Sequence, residues 1–223
     1  MRSRGRHTLA FGLALTAALI AALGGSARPA GAQMEQLAKF SDAVSHAADA
    51  RAAARTTSRF DALFKKYSKH SFGIDFDWHY FKAQAIAESQ LKPSARSAVG
   101  ARGLMQLMPS TFSAIQSKRP EFTSIDDPEW NIAAGIMHDR YLWKLWTTDI
   151  SEEERPAFMF GSYNAGEGTI GRATALARQQ QLNQASWRSI ETIAPTVPRW
   201  RYRETLGYVR KIDTTYKTLR SMR

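Results

Sequence analysis

The chain has 223 residues, no cysteine, and a formal charge of +11 at neutral pH. That length fits one domain plus a leader, and the missing cysteines exclude disulfides and thiolate-metal centres. Arg2, Arg4 and Arg6 precede the apolar run Leu9–Leu23, and Ala30-Gly31-Ala32 supplies an A-x-A site. The pattern reads as a secretory signal peptide over residues 1–32, with Gln33 the first mature residue. The run is short for a bilayer span of about 20 residues, so no stable membrane span is expected after cleavage, and there is no cysteine for lipid attachment. The leader carries four of the positive charges (Arg2, Arg4, Arg6, Arg28) and no acid, which leaves the mature chain near 11 − 4 = +7. A basic protein exported to the periplasm or medium meets the acidic bacterial wall, which sets nucleic acid aside as its partner.

Residues 33–70 read as an N-terminal helical extension, rich in Ala, Lys and Arg, with Leu37, Phe40, Val44, Phe60, Leu63 and Phe64 spaced along it and a break at Thr56-Thr57-Ser58. It carries no site chemistry. A single domain over 71–223 follows. Its first helix starts near Asp75 or Asp77 as N-cap and ends before Pro93, which bars Lys92 from helical geometry. Pro109 opens the next helix, with Phe112 and Ile115 inward. Asp127-Pro128-Glu129 supplies cap, first position and a dipole-matched acid for a helix to about Trp146. Ser151-Glu152-Glu153-Glu154 reads as a capping box, and Asn164-Ala165-Gly166 breaks the helix it opens. A helix over about 167–180, an irregular stretch around a short helix, and a last helix from about Arg203 complete the chain. No alternating strand pattern occurs, so the expectation is a mainly α, single-core domain.

One carboxylate stands out. At about 100° per residue, His79, Lys82, Ser89 and Gln90 share one side of the first domain helix, and Glu88 lies nearly opposite, between Phe81 and the Gln84/Leu91 edge. A carboxylate aimed into apolar surface holds its proton more tightly, which suits a general acid at neutral pH. A buried glutamate in a structural ion pair would look the same at this level. The loop after Pro93 brings Gly103, Met105, Gln106 and Met108 next in sequence, small and amide side chains fit to line a polar cleft.

Other motifs fall away. Gly166-Glu-Gly168-Thr-Ile-Gly171 fits a dinucleotide fingerprint but follows a capped helix instead of a strand. Ser89-Gln-Leu-Lys92 lacks the companion motifs of penicillin-binding enzymes. The five histidines have no metal-ligand spacing, so neither metal nor cofactor is expected.

Glu88-Ser89, Gly100-Ala-Arg-Gly103-Leu-Met-Gln-Leu-Met-Pro109, Ser162-Tyr163-Asn164-Ala165-Gly166 and Thr205-Leu206-Gly207-Tyr208-Val209 together resemble the successive motifs of the SLT-type lytic murein transglycosylases, from about Phe64 to about Leu219. The resemblance implies a lysozyme-like helical fold of the goose-lysozyme type. It also implies a peptidoglycan-cleaving activity in which one glutamate protonates the bond between N-acetylmuramic acid and N-acetylglucosamine, and the muramic acid's own 6-hydroxyl closes a 1,6-anhydro ring. By motif, Glu88 is the acid/base, Ser97 bonds near the muramyl group, and Gln106 and Met108 line the sugar cleft. Tyr163 and Asn164 belong to the third motif, with the Tyr163 hydroxyl orienting Glu88 or the transition state, and Tyr208 closes the far wall. Leu91-Lys92 and Ser162 stand where the family often has an aromatic with Asn, and Ala. Those departures bear on specificity. The residue spacing alone would permit a one-acid hydrolytic muramidase, the nearest rival; a weakly active wall-binding part of a secretion apparatus, with a cell-envelope protein as partner, is the alternative from another class, and an intact Glu88 with its cleft partners argues against it.

Overall fold

The computed structural model describes residues 58–221. The expected signal peptide over residues 1–32 and residues 33–57 of the expected extension lie outside the described residues. Eight α-helices are described: α1 Asp61–Phe72, α2 His79–Ser89, α3 Pro109–Gln116, α4 Pro128–Leu145, α5 Arg155–Ala165, α6 Glu167–Gln179, α7 Trp187–Ile193 and α8 Tyr202–Ser221, with a 3₁₀ turn over Ala194–Thr196. Among the described residues there is no strand, only two isolated bridges that pair Arg96 and Leu107 with Arg102.

The long helices follow their apolar spacing. In α4, Pro128 takes the first turn and the Asp127 carboxylate accepts from the N–H groups of Glu129 (2.8 Å) and Trp130 (3.2 Å), as the sequence predicts. Its buried stripe runs Ile132, Ile136, Asp139, Trp143, and so holds one acid among apolar residues. In α8, Leu206, Val209 and Ile212 are buried at helical spacing. It packs along α2 and α5, while α4 packs on α1 and α5. The core cluster joins all of these elements.

Residues 61–70 of the expected extension pack on the domain: Phe64 and Tyr67 of α1 are buried, and Lys66 Nζ and the Tyr67 hydroxyl both donate to Glu129 Oε1 at 2.7 Å. The side of α2 bearing His79, Lys82 and Ser89 is buried as well. Each polar group there has a local answer: Lys82 pairs with Asp61 of α1 at 2.7 Å, His79 pairs with Asp77, and Ser89 Oγ donates to the Leu104 carbonyl at 2.8 Å. Ser151 forms only half of a capping box, through a 3.4 Å bond from Glu154 N–H. Glu154 does not fold back. Its Oε2 accepts from Trp187 N–H at 2.8 Å and satisfies an amide in the first turn of α7, 33 residues on. Helix α5 accordingly begins at Arg155, and it runs through Asn164 and Ala165 before Gly166, at φ +82, breaks it.

Candidate active site

Glu88 lies in the last turn of α2, partly exposed beside Ile86 and Ala87, while Gln84, Ala85 and Ser89 are buried. The helix stops one residue later. Gln90 (φ 56) and Leu91 (φ 59) both take left-handed conformations, which an L side chain adopts at a cost of about 1 kcal/mol or more. Leu91 is buried, so core packing holds the chain in this reversal. Pro93 comes too late to be its only cause.

Two groups of α8 meet the end of α2. The Tyr208 hydroxyl donates to Glu88 Oε1 at 2.6 Å, and Lys211 Nζ donates to the Ala87 carbonyl at 3.1 Å, a cation at a helix C-terminus. Burial pushes the Glu88 carboxyl up to about 7, while the Tyr208 bond and the Lys211 charge pull it the other way. A carboxyl poised there can both give and receive a proton near neutral pH.

Asp139 is a second acid, which sequence reasoning missed. It has no exposure, accepts from Gln84 Nε2 at 3.2 Å, and burial holds its carboxyl well above the usual range, with the Glu88 charge adding to the effect. The signal was its place in the apolar stripe of α4. Because its folded value is raised, the unfolded chain loses this proton first, and stability contributed below about pH 4 drains away as pH rises. Asp139→Asn, which has no proton to lose, is therefore expected to be more stable than wild type at pH 7. Its advantage should grow by up to about 1.4 kcal/mol per pH unit above about pH 4, until Asp139 itself ionises in the folded state. Urea midpoints at several pH values check this.

The loop after α2 is built on Asn131, also missed. From the first turn of α4, its Oδ1 accepts from Met105 N–H (2.8 Å), and its Nδ2 donates to the carbonyls of Arg102 and Ile125 (2.9 Å each). Gly103 sits against this carboxamide at φ +78, where a Cβ would overlap Asn131. Arg96 and Arg102 both pair with Asp126 at 3.3 Å, so that acid clamps the loop.

The residues picked from sequence are distributed as follows. Ser97 Oγ accepts from Ala101 N–H at 3.0 Å, closing a tight turn. Gln106, at φ 46, donates Nε2 to the carbonyls of Ala95 and Gly103, so its amide braces the loop. Met108 is 40% exposed. Asn164 is exposed, and Tyr163 is half-buried with its hydroxyl donating to the Met105 carbonyl at 2.8 Å rather than to Glu88. Tyr208, not Tyr163, is the tyrosine bonded to Glu88. The neighbouring His138 ring lies 5.2 Å from that of Tyr163, and burial holds its imidazole below its usual pKa.

Two surface concavities lie elsewhere, one of about 430 Å³ along Trp200–Glu204 and one of about 290 Å³ with Phe160, Trp187, Glu191 and Asp213 in its wall. Of the acids in their walls, Glu191 pairs with Arg210, Asp213 with Lys217 and Glu204 with Arg201, and Glu154 accepts from Trp187 N–H. Among the described residues no group of three or more His, Asp or Glu could hold a metal, and no helix is long and apolar enough to cross a membrane.

The chain is 31% identical over 189 residues to a membrane-bound lytic murein transglycosylase F of Shewanella pealeana, covering 80% of this chain and 37% of that protein. The chain thus spans little more than a third of that relative. Its fold matches the crystal structure of the 70 kDa soluble lytic transglycosylase of Escherichia coli with a TM-score of 0.56 at 25% identity, over 73% of this chain and 24% of that one. A complex of the 70-kDa soluble lytic transglycosylase with bulgecin A gives a TM-score of 0.58 at 26% identity, covering 75% and 25% of the two chains. The sequence model of the transglycosylase SLT domain matches residues 67–186, more than half of the chain, and the protein belongs to that family.

Proposed function

We propose that the protein is a peptidoglycan lytic transglycosylase of the cell envelope, working in the periplasm or outside the cell with Glu88 as its only acid/base. The observation that carries this reading is one partly buried carboxyl, poised near neutrality, that accepts a 2.6 Å bond from Tyr208 with no second free acid beside it among the described residues. Asp139 is sealed in the core.

In the proposed reaction Glu88 gives its proton to the oxygen linking C1 of N-acetylmuramic acid to C4 of N-acetylglucosamine. The C1–O bond breaks, and the glucosamine leaves with a free 4-hydroxyl. Glu88, now a carboxylate stabilised by Tyr208 and Lys211, takes the proton of the muramic acid's 6-hydroxyl while that oxygen bonds C1. The proton count closes on Glu88 and no water is consumed. Most glycosidases use two carboxylates, so a lone one favours a substrate that brings its own nucleophile. Met108 and Asn164, both exposed, are assigned to the sugar-facing wall. Gln106 Oε1 and the Ser97 hydroxyl proton, each opposite the bond its side chain already makes, are assigned to substrate N–H and oxygen groups.

Lysis of purified peptidoglycan with no rise in reducing ends is the result this function requires, and one new reducing end per bond cleaved would replace it with a hydrolytic muramidase. Tyr208→Phe removes a bond that stabilises the Glu88 carboxylate. Its activity should fall about tenfold, the worth of one hydrogen bond to a charged group. The high-pH edge of the activity profile should move upward, because Glu88 then holds its proton more tightly.

A further inference from the structure

Gln84 of α2 and Asp139 of α4 have no exposure to solvent. Gln84 Nε2 donates to Asp139 Oδ1 at 3.2 Å, while Gln84 Oε1 and Asp139 Oδ2 are buried without a partner. An ionised Asp139 would leave two buried oxygens facing no donor, which is expensive. A single proton answers both. A carboxylic acid protonated at Oδ2 can donate to the Gln84 carboxamide oxygen, so that acid and amide form a closed ring of two antiparallel bonds.

The pair lies beneath the reacting group. Gln84 precedes Glu88 by four residues, one turn back on the same face of α2. The titratable groups that act on Glu88 are Tyr208 and Lys211 of α8, with Tyr163 of α5 and Asp139 of α4 close enough to feel its charge. Those that face Asp139 are Glu88, Tyr163 and Tyr208, none of them a cation. Two apolar side chains of similar size would fill the same space without desolvating an acid. A costly polar pair one turn from the proposed proton donor is where a functional reason is expected.

We propose that Asp139 is a positioning residue for Glu88: held as a neutral acid against Gln84, it fixes the inner turn of α2 and places a dipole, not a second charge, under the reacting carboxyl. This rests on Glu88 as the proton donor. The step it supports is the return of the proton from the 6-hydroxyl, which needs Glu88 to exist as a carboxylate without a second negative charge beside it.

The test compares two variants of the full chain on purified peptidoglycan. In Asp139→Asn, an amide takes over both bonds of the ring. Activity is expected within about threefold of wild type, with the high-pH edge unmoved. In the double variant Gln84→Leu/Asp139→Leu the floor becomes apolar. There kcat is expected to fall about tenfold or more with KM little changed, and the edge to move up by about half a pH unit or more. Separately, infrared difference spectra near about pH 8 should show the carbonyl stretch of a neutral acid in Glu88→Gln and none in Glu88→Gln/Asp139→Asn. Wild-type kcat and an unmoved edge in the double variant overturn the proposal. So does a downward shift of the edge in Asp139→Asn, or absence of the neutral-acid band. If Glu88→Gln instead kept full turnover, the role of Glu88 would fail, and with it the positioning of Glu88 by Asp139, while the infrared result would still report the protonation of Asp139.

Discussion

Glu88→Gln is expected to lose between about 10² and 10⁴-fold in turnover on purified peptidoglycan, the range supplied by a positioned general acid. The substitution leaves the fold alone. A glutamine at 88 has the same shape, its Oε1 can still accept from Tyr208, and the partly buried position tolerates a neutral amide better than a carboxylate above pH 7. Wall binding and thermal midpoint should therefore stay close to wild type while kcat collapses, the pattern of a group that acts on the transition state. The same chemistry fixes the pH dependence. Glu88 must carry a proton to begin the reaction, its value stands at about 7, and activity should fall about tenfold per unit above that pH. Full turnover in Glu88→Gln would remove Glu88 from the mechanism.

The second large effect belongs to a residue with no part in the chemistry. Asn131→Ala cuts three hydrogen bonds at once, to Met105 N–H and to the carbonyls of Arg102 and Ile125. Asn131 is buried, so Met105 N–H and the Ile125 carbonyl are left without partners, while the Arg102 carbonyl keeps only its bond from Leu107 N–H. At about 1–3 kcal/mol for each buried polar group left unsatisfied, the variant should lose on the order of 3 kcal/mol or more of stability. Chemical denaturation measures this directly. The loop carrying Gln106 and Met108 should loosen before the domain unfolds, which would appear as faster amide exchange at residues 101–107 than in α8.

Much of this architecture was legible in local patterns. The Asp127-Pro128-Glu129 start of α4, Pro109 at the head of α3, and the buried spacing Leu206, Val209, Ile212 of α8 depend on residues within a turn or two of one another. What stayed hidden depends on partners far along the chain. Glu154 completes no capping box because Trp187 N–H reaches it from 33 residues away. The burial of the polar side of α2 was hidden too, since nothing in its own sequence shows that Asp61 waits for Lys82 and the Leu104 carbonyl for Ser89.

The site shows the same division. The motifs drew attention to Glu88, Tyr163 and Tyr208, but which tyrosine meets the acid is a tertiary fact, set by how α8 packs along α2 across 120 residues of sequence. Tyr163 turns to the Met105 carbonyl, a contact between α5 and the loop that no helical periodicity encodes. Asp139 was readable in part. Its spacing from Ile132, Ile136 and Trp143 puts an acid on a buried stripe, but its weight comes from Gln84, 55 residues earlier.

The most direct test of the central claim, that one carboxyl acts as acid and then base on a substrate that supplies its own nucleophile, is mass spectrometry of the muropeptides released from purified peptidoglycan in ¹⁸O-labelled water. Ring closure by the 6-hydroxyl gives products one water lighter than hydrolytic ones, with no label at C1 of the muramic acid. Products of full hydrolytic mass carrying ¹⁸O at C1 would contradict it, and would demand a water-activating partner for Glu88 that none of the acids described around it supplies.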